Sequence, residues 1–86
     1  MLRVIVYFTD PLSYKRIELT GLSKRINVIG MQPIPGDQFS FEDLSKDDKE
    51  KIGRILNGKE KLAVKSRQFK FENTYSAIYI ELETVR

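Results

Sequence analysis

Between Lys65 and Phe71, cations and rings take turns: Lys65, Arg67, Phe69 and Phe71 fall at every second position. In a regular strand all four point to one face. Rings exposed among cations suit single-stranded nucleic acid, because bases stack on aromatics while Lys and Arg follow the phosphates. The candidate contacts for such a partner are Lys59, Lys61, Lys65, Arg67 and Lys70 on phosphates, with Tyr79 as a stacking ring. Open exposure of Phe69 and Phe71 beside Arg67 would put polynucleotide binding first among the readings of this chain.

Other chemistry is sparse. The chain has no His and no Cys, so the usual nucleophile–base pairs are missing and a transition-metal site would need carboxylates alone. Glu42, Asp43, Asp47 and Asp48 could hold Mg²⁺ or serve as acid and base, but they span a predicted helix start, where acidic residues stabilise the positive end of the helix dipole. Gly21, Gly30, Gly36, Gly53 and Gly58 are scattered, with no phosphate-binding loop among them. The expectation is a non-enzymatic chain with no cofactor, metal or small-molecule ligand. It reads first as a protein-interaction or regulatory module with a protein partner or as a homodimer. A nucleic-acid-binding domain on the basic 46–70 segment is the alternative, and a structural part of a larger assembly is a third reading.

The chain's 86 residues make one domain. A domain of this size buries only about 60% of the surface its unfolded chain exposes, so a partner subunit would add to a thin core. Net charge is +3 but unevenly spread. From Lys46 to Lys70 there are nine basic residues against four acidic ones, while Ile34–Asp43 and Phe71–Arg86 are net acidic. Such asymmetry can steer an anionic partner, although Lys on helices and edge strands also serves to prevent sheet-edge aggregation. No apolar run is long enough for a membrane helix. The apolar start, Met1 to Phe8, reads as a strand and not as a signal peptide, which makes the cytoplasm the expected location.

The elements that must position these residues are mostly strands. Leu2 to Thr9 is apolar on both faces, the pattern of a central strand covered on two sides. Asp10-Pro11 closes it. Tyr14 to Leu22 alternates, with Ile17 and Leu19 on one side, and Gly21 marks a bend near its end. A third strand is expected at about Ile26 to Met31. Pro35-Gly36 suits a type II turn. Phe39 and Phe41 then form a short extended piece with both rings in the core. A helix is predicted over about 45–57, capped by Ser45, with Ile52, Ile55 and Leu56 as its apolar stripe and Asn57-Gly58 as its end. Asp47–Lys51 and Glu50–Arg54 are its i, i+4 pairs.

The last two strands, about Lys61 to Phe71 and Tyr75 to Val85, should form a hairpin with Phe71 opposite Ser76 and Phe69 opposite Ile78. That register puts both phenylalanines on the face of Ile78, Ile80 and Leu82, so they read as core. An unbroken strand would bury Arg67 and Lys65 there too, at several kcal/mol per charge. A β-bulge at about Ser66 to Gln68 avoids this by setting Val64 opposite Leu82, Leu62 opposite Thr84 and Lys65 outward opposite Glu81. The whole reads as an α+β domain with a mostly antiparallel five- to six-stranded sheet or a small, partly open β-barrel. The β-β-β-α-β-β order resembles that of OB-folds.

Overall fold

The computed structural model describes residues 2–56 and 61–85. Their elements run β1 (Leu2–Thr9), β2 (Arg16–Glu18), α1 (Thr20–Ile29), β3 (Gln38–Ser40), a 3-10 turn (Phe41–Asp43), α2 (Lys46–Ile52), β4 (Lys61–Phe71) and β5 (Ser76–Val85). The five strands form one open sheet in the order β2-β1-β5-β4-β3, so the α+β class holds and the barrel does not. β1 runs parallel to β5, and the other pairings are antiparallel.

β1 is central, as its apolar sequence demands, but only one of its faces is under a second layer. Val4, Val6 and Phe8 pack with Ile78, Ile80, Leu82, Leu62 and Val64 beneath Leu22 and Ile26 of α1, Ile52 of α2 and Leu56 just after it. Among the described residues, the opposite face has no such layer. There Tyr7 is shielded by its sheet neighbours, with the Arg16 guanidinium 4.8 Å from its ring centre.

The expected third strand at Ile26–Met31 is instead the end of α1, and the second strand stops at Glu18. Leu19, Leu22 and Ile26 recur at helical spacing and are the buried apolar residues, whereas Val28, Ile29 and Met31 are exposed. The tight run of β-branched residues imitates a strand without lying on one face. Gly21 is not a bend but part of the first turn of α1. A Cβ there would overlap Ser45 Oγ and come within 3.0 Å of Asp48 Oδ2, so glycine lets the two helices touch.

α1 also closes one edge of the sheet. β2 pairs only with Tyr7, Phe8 and Thr9, so among the described residues the beginning of β1 has no strand neighbour on that side. Asn27 takes the strand's place: the Val4 N–H donates to Asn27 Oδ1 at 2.8 Å, and Asn27 Nδ2 donates to the Val4 carbonyl at 2.9 Å. Two positions on, the Val6 N–H donates to Ser23 Oγ at 2.8 Å. A side-chain amide carries the same donor and acceptor as a peptide unit, so the ladder continues without a strand.

The type II turn is present: Asp37 N–H donates to the Ile34 carbonyl at 3.0 Å, with Gly36 at φ +96°. Phe39 and Phe41 are half-buried against the core. α2 is capped as expected, with the Asp48 N–H donating to Ser45 Oγ at 3.2 Å, but it ends at Ile52, before Gly53. Ile55 and Leu56 lie in the turn that follows, both donating to the Ile52 carbonyl. The predicted Asn57-Gly58 end lies outside the described residues. Lys51 does not pair with Asp47; its Nζ donates to Glu18 O and Thr20 Oγ1.

Candidate interaction surface on the β4 edge

The hairpin register is the one the turn dictates: Phe71 faces Ser76, Phe69 faces Ile78, Val64 faces Leu82 and Leu62 faces Thr84. The bulge falls at Lys65, one residue earlier than expected, so Ser66 and not Lys65 opposes Glu81. Ser66 Oγ and Thr9 Oγ1 both donate to the Glu81 carboxylate, at 3.3 and 2.9 Å.

Phe69 and Phe71 are on the predicted face but are not core: they are 47% and 79% exposed. The helices cover the middle of that face and stop short of this corner. The rows of the register show the boundary. Val4, Ile78 and Phe69 share one row, in which Val4 and Ile78 are buried and Phe69 is open. Leu2, Ser76 and Phe71 share the next, where Leu2 is also 41% exposed. Arg67, opposite Ile80, is half-buried, and its guanidinium lies 5.2 Å from the Phe69 ring centre. A charge on the core face is tolerable here because the layer above it is missing.

β4 is also an unfinished edge. β3 pairs only with Lys61, Leu62 and Ala63. The turn before it adds Gly36 N–H to Val64 O and Val64 N–H to Asp37 O. From Ser66 to Phe71, β4 has β5 on one side and no strand on the other among the described residues. An uncovered edge presents unpaired N–H and C=O groups that can take another strand.

The cations and ring expected to act together do not converge. Lys70 and Tyr79 do meet on the open face, with Lys70 Nζ 5.8 Å from the ring centre. Lys70 is also paired with Glu72 at 3.7 Å, an exposed contact of small energy. Arg67 is on the opposite face, and Lys65 sits out on the bulge. Lys61 is nine residues from Lys70, roughly 30 Å along the strand. Lys59 lies outside the described residues.

The acidic group is occupied structurally. Asp48 is fully buried, and its carboxylate accepts the Leu22 N–H at 2.8 Å and the Gly21 N–H at 3.3 Å. Those are free donors of the first turn of α1, whose own preceding residue, Leu19, supplies no cap. Asp48 therefore belongs to the N-terminus of α1 and is not part of an open carboxylate cluster.

Among the described residues, two side chains have displaced acidities. Burial, reinforced by the Glu81 charge and opposed by Arg16, raises the Tyr7 phenol above its ordinary value. The Leu12 N–H and the Ser13 hydroxyl hold Asp10 below the ordinary carboxylate value, stabilising the β1–β2 turn. Beside that turn a cleft of about 510 Å³ opens between Tyr14, Lys65 and Glu81.

At this corner sequence reasoning misplaced Phe69 and Phe71, and one signal pointed to their exposure. Phe71 faces Ser76, a small polar residue in what would otherwise be a core row. Compared with family models, curated proteins and solved structures, the chain matches none.

Proposed function

We propose that this chain is a non-catalytic protein-interaction module that receives an extended segment on the free edge of β4. The observation that carries the reading is the coincidence of an unpaired strand edge at Ser66–Phe71 with two exposed rings on that same stretch. Strand addition draws affinity from main-chain hydrogen bonds and specificity from alternate side chains. Here Phe69 and Phe71 supply apolar grip on one face, while Gln68 and Lys70 offer polar contacts on the other. A cytoplasmic setting suits a chain free of cysteine. The test is affinity capture with the purified chain and with a Phe69→Lys/Phe71→Lys variant, which should fold because neither ring is core. Loss of the captured protein in the variant supports the reading, and capture that ignores the substitutions refutes it.

Exposed rings beside Arg67 favour a second reading, single-stranded nucleic acid, and ring exposure alone would rank it first. Charge placement ranks it second. Arg67 shares its face of β4 with no other cation beyond the bulge, and the β4–β5 hairpin sets Lys61, Lys65, Arg67 and Lys70 against Glu72, Glu81 and Glu83. Phosphates need several cations along one track, and each neutralised phosphate steepens the loss of affinity with salt. Titration with short oligonucleotides at low salt decides: a shift that salt abolishes would promote this reading.

A further inference from the structure

We infer that the segment received by the edge of β4 is the same edge of a second copy of this chain, the two strands running antiparallel about a two-fold axis at Phe69. The inference rests on the docking reading above and names its occupant. β4 is the place for it because the other edges are short or closed. β2 and β3 are three residues each, and the start of β1 is sealed by Asn27 and Ser23.

The sequence of the edge selects the register. A two-fold axis perpendicular to a sheet keeps every side chain on its own face, so each residue meets a residue of the same face. An axis at Arg67 or at Lys70 would set identical cations directly opposite each other, which is destabilising. An axis at Gln68 would set Phe71 against Lys65, the bulged residue where the ladder is broken. An axis at Phe69 sets Phe69 against its own copy, Gln68 against Lys70 of the second copy, and Arg67 against Phe71 of the second copy. Every cation then meets an amide or a ring. The product is one aromatic pair flanked by two cation–ring pairs, within a continuous ten-stranded sheet. The same step pairs the free backbone of the corner and sets its rings against side chains of the second copy.

The competing account is that Arg67 and Lys70 guard the edge and keep the chain monomeric. Sedimentation equilibrium on the whole chain, carried up to about 1 mM so that weak association is populated, separates the two. The expected result is a mass rising from one chain to two, with amide exchange slowing over residues 66–71 in step. The Phe69→Lys/Phe71→Lys variant, confirmed as folded by circular dichroism, should stay monomeric. A monomer at every concentration, or a dimer unaffected by the two lysines, overturns the inference. If the monomeric chain still captures another protein through its rings, self-pairing alone has failed. Capture indifferent to the rings sinks the docking reading itself.

Discussion

Asp48 joins the two helices, and its removal is the sharpest test of how this fold is held. Its carboxylate is fully buried and accepts two backbone donors of α1, from Gly21 and Leu22, while its own N–H is taken by Ser45. In Asp48→Ala the Leu22 N–H, at 2.8 Å the stronger bond, loses its partner in a buried position. The Gly21 N–H, at 3.3 Å, loses a weaker one. An orphaned buried donor costs about 1–3 kcal/mol, and losing a negative charge at a helix N-terminus costs roughly 0.3–1 kcal/mol more. Relief from burying a carboxylate offsets part of this. The net expectation is a loss of about 2 kcal/mol, against a total of roughly 4–13 kcal/mol for a domain of this length. Asp48→Asn keeps one acceptor oxygen without the charge and should lose about half as much. Urea unfolding followed by circular dichroism measures both. A loss below about 0.5 kcal/mol for Asp48→Ala, within the range of an ordinary surface change, would refute the cross-helix cap.

The neighbouring Gly21→Ala should destabilise by about 1–3 kcal/mol, because its Cβ has no room against Ser45 and Asp48; the same unfolding assay checks it. Phe71→Ser should change stability by less than about 0.5 kcal/mol, whereas Ile78→Ala, one row inward and fully buried, should cost about 2–5 kcal/mol. Equal losses from the two would restore Phe71 to the core. Alkaline pH should weaken the fold through Tyr7. Its folded-state pKa is raised, so its contribution is complete below the ordinary phenol value near 10 and is lost as pH rises through the higher folded value. Chemical unfolding across that window should be less pH-sensitive in Tyr7→Phe than in the parent chain.

What was legible in the sequence was local. Ser45 caps α2 from three residues away, Pro35-Gly36 makes its turn within four residues, and the β4–β5 register follows from a short loop and alternating side chains. Even the bulge could be placed to within a residue, because Leu62, Val64, Phe69 and Phe71 cannot share one face of an unbroken strand. α1 was not legible for the converse reason. Its cap is Asp48, far along the chain, and its first turn carries a glycine whose purpose appears only when α2 packs on it. Local preference, weighted by Ile26, Val28 and Ile29, pointed to a strand, and tertiary contacts overrode it.

The corner at Phe69 and Phe71 shows a different limit. Register says which side chains share a face; it does not say how far the layer above that face extends. That reach is set by where α1 and α2 come to rest, and hence by Asp48, Gly21 and Asn27, none of which is near β4 in sequence. The same helix that closes the β1 edge leaves the β4 edge open, since one short helix with a side-chain ladder can finish only one side of a sheet. The open edge and the bare rings therefore have a common structural origin. A strand added at Ser66–Phe71 would supply the missing ladder and set its own side chains beside the bare rings, which the mixed-charge open face around Tyr79 does not offer.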